Sequence, residues 1–167
     1  MRIEEFDLRR LAGECAEAAR PLAEGNRVAL RVSSPDGPLL VSGDATRLRQ
    51  VMDNLVGNAV KFTPEGGWVE LGLTRDGDEV SLAVADSGPG ISEEDQVQLF
   101  EPFFRAESTA GSVSGSGLGL AVVRAIVEAH GGRVGVESGP AGTTFAVRLP
   151  IAAGPLAGAG RPVRGAV

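Results

Sequence analysis

The sequence predicts an α/β fold, a two-layer sandwich of three helices on a mixed, mostly antiparallel sheet. Three observations carry that prediction. Apolar residues recur with helical period over residues 7–24, 44–63 and 116–130. Short segments with alternating apolar residues come in pairs, at 26–33 and 39–41, 68–74 and 79–85, and 133–138 and 143–149. The order, one helix followed by two strands three times over, suits helices packed together on one side of a single sheet.

The first helix, residues 7–24, has Asp7 as its cap, and Leu8, Leu11, Cys15, Ala18 with Ala19, and Leu22 give it an apolar face. Cys15 reads there as packing. Val28, Leu30 and Val32 alternate in the first strand, Pro35-Asp36-Gly37-Pro38 turns the chain, and residues 39–41 form a second short strand. The central helix starts at a suitable N-cap, Asp44, and stops at Thr63-Pro64. On a wheel of about 100° per residue it shows two stripes. Leu48, Val51, Met52, Leu55, Ala59 and Phe62 form an apolar one, and Arg47, Gln50, Asn54, Asn58 and Lys61 a polar one.

Val69, Leu71 and Leu73 alternate in the next strand, which turns at residues 75–78 into a partner carrying Val80, Leu82 and Val84 inward. Trp68, the single tryptophan, reads as packing at a strand start. Ser92 and Asp95 resemble a capping box for a short helix reaching to about Leu99. Residues 106–115 are small, polar and without apolar period, which predicts a mobile segment. The third long helix buries Leu118, Ala121, Val122, Ala125, Ile126 and Ala129 and closes at Gly131-Gly132. Residues 1–150 make one domain, and 151–167, rich in Ala, Gly, Pro and Arg, a disordered tail.

Composition narrows the function. A net charge of −6 lacks the basic footprint of a nucleic-acid binder. One cysteine and one histidine in 167 residues make no disulfide framework and no Cys/His metal cluster, which suits a reducing, cytoplasmic setting. No apolar run approaches the roughly 20 residues of a membrane span, so no membrane contact is expected of this domain.

Two carboxamides one turn apart, Asn54 and Asn58, followed by Lys61, form a polar stripe suited to a metal ion and phosphates, or simply a solvated face. Asp86-Ser87-Gly88-Pro89-Gly90 follows a strand. A carboxylate there can accept from an exocyclic amine such as that of adenine, and Gly88 and Gly90 would let a ring approach; it also reads as an ordinary tight turn. Gly115-Ser116-Gly117-Leu118-Gly119-Leu120 opens a helix, whose free N–H groups favour phosphate oxygens, or forms a plain hinge. It is neither a dinucleotide-binding fingerprint nor a P-loop, because the third glycine and the GKS or GKT are missing.

In order along the chain, RLRQVMDNLVGNAVKFTPEGG, DSGPGI, FEPFFR, GSGLGL and GPAGTTFAVRLP resemble the asparagine box, first glycine box, phenylalanine box, second glycine box and closing strand of sensor histidine kinase catalytic domains. That family belongs to the wider group of type II topoisomerase ATPases, heat-shock protein 90 and MutL. The resemblance covers about residues 7–150 and implies a Bergerat-type ATP-binding fold with a mobile ATP lid at about 92–117. It implies ATP and Mg²⁺ as cofactors. Asn58 would ligate the metal, Asn54 support metal and phosphates, Lys61 reach phosphate and Phe62 pack by the nucleotide. Asp86 would read the adenine in a pocket shaped by Gly88, Gly90 and Ile91. Arg105 would swing to the γ-phosphate, and Gly115, Gly117, Leu118, Gly119 and Leu120 would wrap the triphosphate. Thr143 or Thr144 would hold the adenine side.

The resemblance also implies what the chain lacks. The phosphoacceptor histidine of such kinases lies on a separate dimerisation domain. The lone His130 stands in Glu-Ala-His-Gly-Gly at a helix end, a structural context. Transfer of the γ-phosphoryl to that separate domain is therefore expected, with a response regulator downstream, no autophosphorylation by this chain alone, and an isolated domain that is monomeric. An anti-sigma-factor-like serine kinase, or a module that binds ATP only to dock, are the alternative readings. The clear FEPFFR motif speaks against the first and the intact Asn58, Lys61 and Asp86 against the second.

Overall fold

The structure, a computed structural model, describes residues 1–102, 104 and 119–151. In chain order these form β1 (Glu4–Asp7), α1 (Leu8–Gly25), β2 (Ala29–Ser33), β3 (Leu40–Gly43), α2 (Ala45–Phe62), β4 (Trp68–Asp76), β5 (Glu79–Asp86), α3 (Glu93–Gln96), α4 (Gly119–Ala129), β6 (Arg133–Gly139) and β7 (Gly142–Pro150). The main sheet has the order β2-β4-β5-β7-β6. Only β2 and β4 run parallel, and every other neighbouring pair is antiparallel. The expected mixed, mostly antiparallel sheet with three helices on it is what the chain forms.

One face of the sheet carries the core. Val69, Leu71 and Leu73 of β4, Val80, Leu82 and Val84 of β5, and Phe145, Val147 and Leu149 of β7 alternate inward and are buried. Against them lie α1 over β2 and β4, α2 over β4 and β5, and α4 over β6 and α2. Leu48, Leu55, Leu71 and Leu82 are fully buried, and each such side chain contributes about 2 kcal/mol by leaving water. The central helix begins where its cap predicts. The Asp44 carboxylate accepts from Arg47 N, and Thr63 closes the other end through its N–H to the Ala59 carbonyl.

Several side chains face differently from the sequence expectation. On α1 the buried stripe is Leu8, Ala12, Cys15, Ala16 and Ala23, while Ala18 and Leu22 are exposed. Small residues let α1 approach α2 closely, so the larger Leu22 is left at the rim. On α4, Val123, Ile126 and Val127 are buried, and Ala125 and Ala129 face water. The helix has turned to put its β-branched side chains, not its alanines, against α2 and β6. Val32 lies at the end of an edge strand and is exposed. Trp68 is not core: it is exposed, with the Arg31 guanidinium 5.1 Å from its ring centroid.

An element the sequence pattern did not reveal is β1. It pairs antiparallel with β3, Phe6 opposite Val41, as a two-stranded sheet apart from the main one. Its Glu-Glu-Phe-Asp sequence has one apolar residue and so no alternation to detect.

Cys15 is packing, as expected. Its thiol donates to the Asp53 carboxylate at 3.2 Å, which Arg49 also holds at 3.0 Å. Burial, reinforced by that carboxylate, pushes the thiol pKa up to about 12, leaving it protonated and inert. His130 is structural. Its Nδ1 donates to the Ile126 carbonyl at 2.7 Å, and its Nε2 accepts from Asp44 N at 2.9 Å, so the end of α4 is fastened to the start of α2.

Candidate nucleotide-binding site

Three chain segments meet at one end of the sandwich: the C-terminal half of α2, the turn after β5, and the β6–β7 hairpin. Asp86 is the last residue of β5 and stands opposite Thr143 of β7. Its Oδ1 accepts from Gly88 N at 2.8 Å, an Asx turn that aims the carboxylate across the end of the sheet. Burial raises its pKa above the ordinary carboxylate value, against which the backbone N–H groups of Gly88 and Thr143 pull it down.

Space leaves little room for a side chain at Gly88 and none at Gly90. A Cβ on Gly88 would meet Asp86 Oδ1 at 3.0 Å and the Phe62 carbonyl at 3.3 Å. Gly90 has φ +85°, and a Cβ there would overlap the Gly139 carbonyl of the β6–β7 hairpin. The next residue, Ile91, is half-buried against the core and is held on both sides of its peptide. Its N–H donates to Ser138 Oγ at 2.7 Å, and its carbonyl accepts from Gln96 Nε2 at 2.7 Å. The Ser138 and Thr143 hydroxyl oxygens are 2.6 Å apart. Ser138 and Gln96 carry these contacts although the sequence singled out neither; only the pairing of β6 with β7 and the fold of the glycine turn reveal them.

Thr143 and Thr144, adjacent in sequence, point to opposite faces of the sheet. Thr143 is buried beside Asp86, whereas Thr144 lines the open outer face with Glu137, Ala146 and Arg148. Of the two, only Thr143 is on the side of the carboxylate.

On α2, Asn54 and Asn58 are half-buried and Lys61 is exposed, and Phe62 is half-buried with its carbonyl against the glycine turn. Packing of α4 on α2 brings Gly119 alongside Asn54, where a Cβ would stand 3.4 Å from the Asn54 Oδ1. The start of α4 therefore lies over the carboxamide stripe, and Leu120 packs on the core beneath it. Phe100 packs edge-on against Phe145, ring centroids 6.2 Å apart, and Glu101 reaches Arg124 at 3.7 Å, which anchors the segment after α3. Arg105, Gly115, Gly117, Leu118 and most of the expected lid lie outside the described residues, as does the tail from residue 152. Among the described residues there is no cluster of His, Cys, Asp and Glu able to hold a metal ion, and no helix long and apolar enough to cross a membrane.

A half-buried carboxylate at a strand end, a tightly packed glycine turn beside it, and a carboxamide-bearing helix facing a helix start lie at one end of the α/β sandwich. Comparison with known proteins gives the family. Residues 43–153 match the family of histidine kinase-, DNA gyrase B- and HSP90-like ATPases. The histidine protein kinase DivJ of Caulobacter vibrioides is 39% identical over 155 residues, 92% of this chain and 26% of that protein. The nucleotide-free catalytic domain of histidine kinase ThkA superposes with a TM-score of 0.82 at 31% identity, covering 91% of this chain and 97% of that one. ThkA in complex with the response regulator protein TrrA superposes with a TM-score of 0.77 at 31% identity, covering 89% of this chain and 42% of that one. The chain belongs to this ATPase family, and the domain it forms is the ATP-binding catalytic domain of sensor histidine kinases. It spans about a quarter of the length of DivJ.

Proposed function

We propose that this domain binds Mg-ATP with its base at Asp86 and transfers the γ-phosphoryl group to a histidine on a separate dimerisation domain. The observation that carries the reading is the Asp86 carboxylate, half-buried at the end of β5 and fixed by Gly88 N. Ionised, it accepts from the exocyclic amine of adenine, a donor that guanine does not present at that position. Thr143, buried next to it, supplies the second polar group on the adenine side; Thr144 faces away.

The carboxamide stripe of α2 fits a magnesium ion that keeps mostly phosphate and water ligands, since it offers neutral oxygens from Asn58 and Asn54 and no acidic cage. When bound, the ion supplies neutralisation of phosphate charge. Lys61, exposed one turn on, reaches phosphate, and Phe62 packs by the nucleotide. Gly119 and Leu120 at the start of α4, with Gly115, Gly117 and Leu118 before them, cover the triphosphate with backbone N–H groups, and Arg105 meets the γ-phosphate. Catalysis of this kind is positioning and electrostatic stabilisation, with the attacking imidazole supplied by the acceptor domain. The complex of the relative ThkA with a response regulator supports a response regulator as the onward partner.

Titration calorimetry with ATP, with and without Mg²⁺, tests the reading on this chain and on Asp86→Asn. Binding that strengthens with Mg²⁺ and is lost in Asp86→Asn is the expected result. A folded, unmutated chain that binds no ATP would overturn it.

A further inference from the structure

Ser138 is the penultimate residue of β6 and reaches across the hairpin to three groups. Its Oγ takes the Ile91 N–H at 2.7 Å, lies 2.6 Å from Thr143 Oγ1, and is 3.4 Å from the Gly142 carbonyl. A serine hydroxyl has one proton and two lone pairs, so with Ile91 donating to it, one further acceptor contact and one donor contact remain. The neighbouring hydroxyl of Thr143 and the Gly142 carbonyl supply them. Thr143 stands opposite Asp86 in the β5–β7 pairing, on the same face of the sheet as the carboxylate. On the other side, Ile91 is tied through its carbonyl to Gln96 of α3. A continuous set of contacts thus runs from Gln96 through Ile91, Ser138 and Thr143 to Asp86.

Among the described residues, the loop from Gly88 to Ile91 is tied to the sheet by Gly88 N on Asp86 and by Ile91 N on Ser138. Gly90 lies directly on Gly139, and a Cβ added to it would stand 3.3 Å from Ser138 Oγ. The serine hydroxyl therefore joins the Gly90–Gly139 contact in holding this loop on the β6–β7 hairpin, next to the Gly88 N–H that holds the carboxylate.

We propose that Ser138 is a positioning residue for purine recognition, holding Ile91 and Thr143 in register with Asp86. The proposal rests on the reading of Asp86 as the acceptor of the adenine amine. It places base selectivity partly in a residue that acts through Ile91 and Thr143.

The test compares the affinities of the full chain for ATP, for inosine triphosphate, which has an oxygen in place of the amine, and for magnesium tripolyphosphate, which has no base. In Ser138→Ala the affinity for ATP falls about tenfold, the loss expected for one hydrogen bond's worth of misplacement. The preference for ATP over inosine triphosphate shrinks with it, tripolyphosphate binding is unchanged, and Ser138→Thr, which keeps the hydroxyl, restores the preference. If Ser138→Ala lowers only the thermal midpoint and leaves the ATP preference intact, the residue is merely structural and the proposal is wrong. Should Ser138→Ala fail to fold, Ser138→Cys fills the same space with a weak acceptor, and the same ratio decides. Failure of the unmutated chain to prefer ATP over inosine triphosphate is a separate outcome: it removes the Asp86 reading itself, and the proposal with it.

Discussion

At the scale of single residues, Asp86, the proposed acceptor of the adenine amine, shows how a group placed for binding opposes the stability of the fold that carries it. Burial raises its pKa from 3.8, so the fold favours its protonated form. Stability from that protonated form is present at low pH and is lost as pH rises through the raised folded value; at neutral pH the ionised group is a cost. Asp86→Asn keeps the shape and an oxygen for Gly88 N but presents an NH₂ group toward the base. At neutral pH its thermal midpoint should equal or exceed that of the unmutated chain, although ATP binding is gone. The advantage should vanish as the pH is lowered toward 3.8. A midpoint well below that of the unmutated chain at pH 7 would contradict this account. The sequence singled out Asp86 only through the ordered set of motifs, because an Asp between an apolar strand and two glycines is by itself an ordinary tight turn. It could not separate Thr143 from Thr144, because one residue of register decides which face a strand side chain takes.

Among the elements, α2 and α4 are joined by the contact of His130 with Asp44 N as well as by apolar packing. Both ring nitrogens of His130 are engaged, Nδ1 with the Ile126 carbonyl and Nε2 with Asp44 N. The Asp44 side chain meanwhile caps α2 and takes Arg2 N at 2.9 Å. His130→Ala leaves the Asp44 N–H without its partner, which costs about 1–2 kcal/mol; urea unfolding should show it as a lower midpoint, with ATP affinity retained. The N–H donors of Arg2 and then Arg47 hold the Asp44 carboxyl below its ordinary pKa. Its contribution is therefore present above that ordinary value and is lost as pH falls through the depressed one, so the deficit of Asp44→Ala should shrink in acid. An undiminished deficit at low pH would refute the capping argument. The elements themselves were legible wherever apolar period and caps agree, as at Asp44 and Thr63. They were not legible where one signal is missing: β1 has a single apolar residue, and the buried sides of α1 and α4 depend on which neighbour each helix meets. Alanine reads as apolar on either side of a helix, and only the partner's shape selects Ala12 over Ala18 or Val123 over Ala125.

For the whole molecule, the strand order decides what the site contains. The last strand, β7, inserts between β5 and β6, which brings the β6–β7 hairpin against the turn after Asp86. Nothing local to residues 133–150 says whether the first or the second strand of the hairpin pairs with β5, so Ser138 stayed invisible until the sheet was seen. The same architecture occupies the chain's one histidine. Both ring nitrogens of His130 are committed at the α2–α4 junction, and it cannot attack a phosphate without breaking that junction. Incubated with labelled Mg-ATP, the chain alone should acquire no phosphate. Mixed with a separately produced helical domain that carries an acceptor histidine from a relative, it should label that histidine. His130→Gln should transfer phosphate to the acceptor as the unmutated chain does, because the histidine serves the fold and not the chemistry. Label on this chain in the absence of the acceptor, abolished by His130→Gln, would show instead that the junction opens and that the domain carries its own acceptor.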